Sequence, residues 1–415
     1  MQLFVYEDEK TVDLLPLVLL RPIFDLLIGT TTLLEKIQKV YPQTNPHLLT
    51  RGELAPTVKE KYPSLTCNEW ESAFGRQKEG LFLNGRTLFS LKNKIPLLGK
   101  EEVFLSEEEI IGFRISSDRL SPKKLEIPFK ENFAKEILKN LPKREVRAKT
   151  IQHLWNLIEW NGSLITEESD FLGTGKIEGT LDEKAAIQGD PSSLSIGKGS
   201  KVGPFCLLDL REGPILVGQD VQILPPTVIE GPAFIGDGTH IDGAKIRGGT
   251  SIGPNCRISG EVEETIFQGY SNKHHEGFLG HSYIGEWVNL GAGTTNSDLK
   301  NNYGEIRVVI NSKEMNTRNI KVGCFIGDHT KTGIGTLINT GAVFGIFCNL
   351  FGGKEVSPKF VPSFSWGARV PFASYRIEEA IDTARKGMGR RGVEMTKNYE
   401  DLIRETYAKF HPSSD

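Results

Sequence analysis

The sequence is poor in the features that mark several large classes of protein. Its five cysteines (Cys67, Cys206, Cys256, Cys324, Cys348) are odd in number and widely spaced, and they form no C-x-x-C pair. That argues against a disulfide framework or a cysteine-rich zinc site and fits a reducing cytosol. No apolar run approaches the roughly 18 residues that a membrane span needs. The opening MQLFVYEDEK is acidic by Glu7, so it is not expected to act as a secretory leader. Neither sign of charge is in excess: the net charge is −3 over 415 residues. Composition therefore offers no reason to expect nucleic acid or an anionic membrane as partner. The expectation is a cytoplasmic protein of two or three domains.

Glycine is scarce in one half and abundant in the other. Of 44 glycines, 12 precede Gly197 and 28 fall between Gly197 and Gly353. The rich stretch carries a six-residue period. Val217, Ile223, Ile229, Ile235 and Ile241 lie six apart, and the run resumes after a one-residue slip at Ile246, Ile252 and Ile258. A second run reads Ile266, Phe278, Ile284 and Leu290, with Asn272 in the gap. A third reads Ile320, Ile326, Thr332, Ile338, Phe344 and Leu350. A period of six is neither helical nor a simple strand alternation, and it predicts a left-handed parallel β-helix with the aliphatic residue inside. Two segments break it: Gly260–Thr265, and the polar stretch Asn296–Asn319. The second is predicted to leave the coil as a loop with a short hairpin, or else to continue it with irregular steps, because Leu290 and Ile320 stay in phase.

The flanks read differently. Residues 1–148 predict an α/β, Rossmann-like domain with a strand at LFVY, a helix over Thr32–Val40 and a second strand at Leu81–Leu83. Residues 149–190 form a connecting helix and linker, 191–353 the β-helix, and 354–415 a helical tail expected to cover the helix's open end.

Long strings carry a resemblance. LLPLVLLRPIFDLLIG, LFLNGR, LWNLIEWN, QGYSNKHHEGFLGHSYIGEWVNLGAGTTNSDLKNNYG, IGDHTKTGIGTLINTG and PSFSWG together resemble the GlmU-like sugar nucleotidyltransferases. More distantly the chain is similar to the bifunctional uridyltransferase/acetyltransferase that makes UDP-N-acetylglucosamine. That resemblance implies a cytoplasmic homotrimer and an acyl transfer from acetyl-coenzyme A, or another acyl-coenzyme A, to an amino sugar or sugar phosphate. The family's catalytic His-Leu-Thr-Tyr-Leu-Gly matches His275-Glu276-Gly277-Phe278-Leu279-Gly280, followed by Gly291-Ala292-Gly293-Thr294. It implies His275 as general base, since imidazole with a reference pKa of about 6.5 suits the acceptor's proton. Glu276 or Asp298 is then expected to orient the ring, and an N–H of the glycine corners near Gly291 and Gly293 to stabilise the oxyanion. Lys273, Lys300 and Lys331 are candidates for phosphate contacts, and His329 for a ligand-facing corner. The opposing reading makes His275 a polar corner residue. Phe278 replaces the family's tyrosine, and Asn296-Ser297-Asp298-Leu299 replaces its acceptor-binding Asn-Tyr-Asp-Gly, which puts the acceptor in question. A zinc site from His275, His281 and His329, as in gamma-class carbonic anhydrases, is the weakest reading; no metal is expected there.

The N-terminal half departs further from the family. The glycine-rich phosphate loop expected after the first strand is replaced by EDEKTVDLLPL, and Arg86 follows Asn84-Gly85 where a Mg²⁺-binding aspartate belongs. Two readings stay open. One is a divergent nucleotidyltransferase, using Mg²⁺ and a nucleoside triphosphate, with Arg21, Lys36, Asn84 and Arg86 at the phosphates. The other, which we favour, is a domain that binds a sugar nucleotide or only packs the assembly. A non-catalytic scaffold is the third functional class considered.

Overall fold

In the computed structural model, residues 2–69, 74, 79–120, 127–130, 136, 138–172, 174–351, 356–367 and 369–411 are described. The N-terminal sheet has the order His47–Leu49, Gln2–Tyr6, Glu79–Asn84, Glu109–Ser116, Glu102–Ser106, Lys143–Glu145. Its first three strands are parallel, and Glu109–Ser116 runs antiparallel to its neighbours. Period-two alternation sorts the side chains onto two faces. Leu3, Val5, Leu81 and Leu83 point toward the helices, whereas Phe4, Phe82 and Phe113 stack on the opposite face, with ring centroids 4.4 and 4.7 Å apart. The predicted helix is Leu33–Val40. Thr32 and Glu35 form a reciprocal capping box at its start, which sets where the helix begins.

A helix over Leu154–Leu172 leads into the β-helix. Strands such as Thr180–Leu181, Ala186–Gln188 and Leu194–Ile196 begin its three faces, and each of the first six coils adds one strand to each. The third face runs to nine strands and ends at Phe360–Val361. The solenoid thus extends past both expected limits, 191 and 353; the second limit falls among residues outside the described set.

The period is as expected, but its phase is corrected in the middle. Ile252 pairs with Phe267, Ile258 with Lys273 and Val262 with Leu279. The interior positions are therefore Phe267, Lys273 and Leu279, each one residue after the expected Ile266, Asn272 and Phe278. Ile320 is corrected too: it is 53% exposed and lies outside the coil. The Asn296–Asn319 stretch leaves the coil, as the first of the two readings has it, in a hairpin of Arg307–Ile310 and Lys313–Asn316.

The N-terminal domain is fused to the third face of the β-helix. The outward side chains Ile266, Tyr283, Phe325 and Val343 share one core with Leu17, Ile23, Leu26 and Leu157. Gln268 accepts from the Leu27 N–H at 3.0 Å and donates to the Asp25 carbonyl at 2.9 Å. The Ser251 hydroxyl donates to the Gly29 carbonyl at 2.6 Å. Asn161 of the linker helix reaches both bodies, accepting from the Gly29 N–H and donating to the Gly249 carbonyl.

The tail helices Ile377–Gly389 and Lys397–Phe410 do more than cap. They run beside one corner of the solenoid, where Tyr407 packs on Phe364, and reach the N-terminal domain at Glu53 and Glu60.

Candidate active site

Each coil turns at three corners, and the conspicuous histidines occupy three different ones. His275 follows the first-face strand Asn272–Lys273, His281 follows the second-face strand Phe278–Gly280, and His329 follows the third-face strand Cys324–Ile326. They do not converge, so a shared zinc site is overturned by topology.

The first corner holds His275 and Glu276, both exposed. The Gly291–Thr294 corner lies one coil on, and the Gly293 N–H donates to the Glu276 carbonyl at 3.0 Å. The Gly291 N–H is likewise spent on Thr332. These two amides hold the coils together and are not free for an oxyanion, which corrects that expectation. His274 lies beside His275 with ring centroids 5.5 Å apart. Lys273 is 2% exposed and turned into the solenoid. Its ammonium donates to the carbonyls of Ser259 (2.8 Å) and His275 (3.0 Å). Burial pulls its pKa down to about 8, against the attraction of Glu276 and Glu261. It cannot meet a phosphate outside; it holds the His275 corner from within.

At the second corner the His281 Nδ1–H donates to Asp298 at 2.8 Å, and Nε2 faces Glu264 at 3.4 Å. Asp298 therefore orients His281 and not His275. Burial disfavours the imidazolium, but hydrogen bonds to Asp298 and Glu264 outweigh it and raise the pKa to about 9. Glu263, Glu264 and His281 have the donor spacing of a metal site, yet Lys321 already pairs with Glu263 at 3.2 Å.

At the third corner His329 is one rung of a ring ladder. Trp287, His329, Phe347 and Phe364 follow one another on successive coils, with centroids 6.2, 4.5 and 5.3 Å apart, and Tyr270 stacks on Trp287 at 4.3 Å. The His329 Nε2 pairs with the Tyr399 hydroxyl at 2.9 Å. Burial, then Lys331 and Arg21, depress its pKa well below the usual range. His329 is a packed neutral rung rather than a ligand-facing group. Lys331 is half-buried, and desolvation lowers its pKa to about 8. Lys300 belongs to the excursion loop and bonds the Glu305 carbonyl.

The N-terminal candidates are dispersed as well. Arg21 bonds Asp328 (2.9 Å) and Glu286 (3.0 Å) of the β-helix, so RPIFDLLIG is a docking segment. The Arg86 guanidinium is fully buried; Nε and Nη2 grip both oxygens of Asp8, and Nη1 donates to the Ile151 carbonyl. Asn84 donates to Asp8 at 2.9 Å and accepts from the Arg86 N–H. A divalent cation does not fit: the only carboxylate in this trio is already neutralised by a built-in cation. Of the four residues, Lys36 lines a cavity, paired there with Glu168.

Residues 3–177 match a family model described as sugar nucleotidyl transferase. The bifunctional sugar-1-phosphate nucleotidylyltransferase/acetyltransferase of Sulfurisphaera tokodaii is 33% identical over 156 residues, 34% of this chain and 39% of that protein. The bifunctional protein GlmU of Rippkaea orientalis is 31% identical over 127 residues, 28% of this chain and 27% of its own length. The matched stretches thus span well under half of these relatives. Among solved structures, the UDP-N-acetylglucosamine acyltransferase of Francisella novicida is 15% identical. It covers 56% of this chain and 75% of that one at a TM-score of 0.27. The chain is thus similar to the sugar nucleotidyl transferases over residues 3–177, and over part of its length to the bifunctional GlmU-type proteins.

Proposed function

We propose that the protein is an acyl-coenzyme A-dependent transferase acting on an amino sugar or sugar phosphate, with His275 as general base. The observation that carries this reading is the state of the histidines at the corners. A general base has to be neutral at the working pH and within reach of the acceptor. His281 keeps its proton until about pH 9 and is buried, and His329 is sealed in a ring ladder. His275 is exposed at a corner whose backbone is pinned by Lys273 from inside and joined to the Gly293 corner below. Glu276 is its exposed neighbour, and no hydrogen bond between the two side chains is present among the described residues. The bifunctional relative from Sulfurisphaera tokodaii carries acetyltransferase in its name. The corner is open on a single chain, which suits a homotrimer whose neighbouring subunit closes the site. Acetyl-coenzyme A, or another acyl-coenzyme A, is then the acyl donor.

In this reading the N-terminal domain binds without catalysing nucleotidyl transfer, because the Asp8–Arg86 pair stands where Mg²⁺ would be needed. Calorimetric titration of acetyl-coenzyme A, with free coenzyme A as comparison, tests the proposal. Micromolar binding at one site per chain is expected. His275→Ala should retain that binding and lose acetylation of an amino-sugar panel by ~10²–10⁴-fold. Absence of binding at millimolar ligand would remove the reading.

A further inference from the structure

The second corner of the solenoid carries a group of side chains that the proposed acyl transfer does not use. Glu263 ends a second-face strand and Glu264 turns the corner after it. His281 follows the strand of the next coil, and Asp298 stands one coil further on. Glu264, His281 and Asp298 are each 17 residues apart, so the stacking of coils sets them in a column. The His281 N–H donates to the Glu263 carbonyl at 3.0 Å, which joins the two corners through the backbone.

Three of these side chains turn their donors toward one point. The Glu263 and Glu264 carboxylates and the His281 imidazole each place a ligand atom within 4.8 Å of the others. The His281 side chain is only 7% exposed, and its Nε2 lies 3.4 Å from Oε2 of Glu264. That is long for a hydrogen bond, which runs to about 2.7–3.2 Å. It matches the edge, about 3.3 Å, of a tetrahedron built on zinc bonds to imidazole and carboxylate of about 2.0–2.1 Å. On the other side of the ring, the Nδ1–H donates to Asp298 at 2.8 Å. A carboxylate in that place fixes the tautomer and orientation of a metal-binding imidazole.

Charge and space agree with this geometry. Three carboxylates meet one imidazole and the Lys321 ammonium, which neutralise them only in part in the metal-free chain. Lys321 is 44% exposed, and a solvated ion pair such as its 3.2 Å contact with Glu263 contributes little and is readily displaced. A cavity of about 240 Å³ adjoins the group, with His281 and Glu264 on one side and the buried Trp155, Ile158 and Val322 on the other. It has room for a water or a small anion beside the three donors. One nitrogen and two oxygens suit zinc better than Mg²⁺ or Ca²⁺, which favour oxygen alone.

We propose that Glu263, Glu264 and His281 form a zinc-class divalent cation site, with Asp298 behind the imidazole and a fourth position open to the cavity. The ion takes the place of the Nε2 proton, which passes to solvent, and Lys321 swings away from Glu263. Unlike a site shared by three histidines of different corners, every donor here comes from one corner on two successive coils. The site is separate from the His275 corner and does not rest on the acyltransferase reading. Trp155 and Ile158 belong to the linker helix, so a ligand at the fourth position sits at the junction of the two domains.

The test uses the full chain without an affinity tag, stripped with chelator and titrated with Zn²⁺ by calorimetry at pH ~8, where ligand protons are readily lost. One zinc per chain at micromolar affinity or tighter is expected. X-ray absorption at the zinc edge should show one imidazole and oxygen neighbours at roughly 2.0–2.1 Å, without sulfur. Glu264→Gln, at a half-exposed position, should weaken binding ~10-fold or more, and Asp298→Asn ~10-fold through the imidazole. Lys321→Gln, which removes the competing ammonium, should tighten it ~3-fold or more. Glu261→Gln on the same strand and His275→Ala at the exposed corner should bind as the wild type does. Metal-free thermal melts check that each variant is folded, and the absorption spectrum of the wild type needs no variant. No binding at a ~10-fold excess of Zn²⁺, binding indifferent to Glu264→Gln, or a sulfur neighbour would overturn the proposal. So would loss of binding in His275→Ala, which would assign the ion to the exposed His274–His275 pair.

Discussion

Lys273 shows how one interior position can serve a corner. Its neighbours in the same column of the solenoid are Ile258 and Leu290, both buried aliphatics. An ammonium there is tolerated because two carbonyls from adjacent corners converge on it. Lys273→Met keeps the length of the side chain and removes those donors. Amide exchange over 274–277 is then expected to quicken ~10-fold, with distant coils unchanged, as followed by hydrogen-exchange mass spectrometry. His281 belongs to the same scale. Its folded pKa of about 9 lies above the unfolded value of about 6.5. The contribution is therefore complete below the unfolded value and lost as pH rises through the folded one. Thermal melts of the wild type and Asp298→Asn should differ most near pH 6–7 and converge above pH ~9. A gap that stays constant with pH would refute the ion-pair account.

At the scale of elements, the six-residue period identified the solenoid, while the slip within it set which residues face inward. The Gly260–Thr265 segment shortens a coil, so Phe267 and Leu279 go inside. Ile266 and Phe278, equally apolar, face outward, and nothing in their own composition distinguishes the two choices. Pairing with the preceding coil does. The third corner is an element in its own right. Tyr270, Trp287, His329, Phe347 and Phe364 all adopt left-handed backbone, with φ between 53° and 61°, and their rings stack along the axis. Ring packing offsets the backbone strain. Phe347→Ala empties the middle of the ladder and should cost about 3–5 kcal/mol in denaturant unfolding. It should also expose the tail helices to limited proteolysis, because His329 would lose the stacking that aims it at Tyr399.

At the scale of the whole molecule, two domains share one core, and a buried charge cluster locks them. Arg21 of the N-terminal domain faces Asp328 and Glu286 of the solenoid. Removing one partner of a buried pair leaves the other uncompensated, which typically costs about 3–5 kcal/mol. Arg21→Met should lower unfolding stability by that order. Combining it with Asp328→Asn should restore part of the loss, as a double-mutant cycle in denaturant would measure. Full additivity would mean that the pair contributes nothing to docking. The same interface explains why LLPLVLLRPIFDLLIG is so apolar: Leu17, Ile23, Leu26 and Ile28 are core residues of the junction.

Elements with a strong period or cap could be read before folding. These were the solenoid, the helix over Thr32–Val40, the linker helix and the tail helices; for Asn296–Asn319 two readings stayed open until the hairpin of the structure chose between them. Each is legible because a local repeat or local hydrogen bond defines it. Tertiary structure decided the partnerships. Asp298 lies 17 residues after His281, one coil on, and so meets that corner rather than His275, because corners stack coil on coil. Arg21 and Arg86 are basic residues next to family motifs, and the same residue type serves a phosphate or an internal carboxylate. Only the packing of Asp8 against Arg86 and of Asp328 against Arg21 selects the second. Charge type is written in the sequence, whereas desolvation and the identity of the counter-charge arise only when distant segments close on one another.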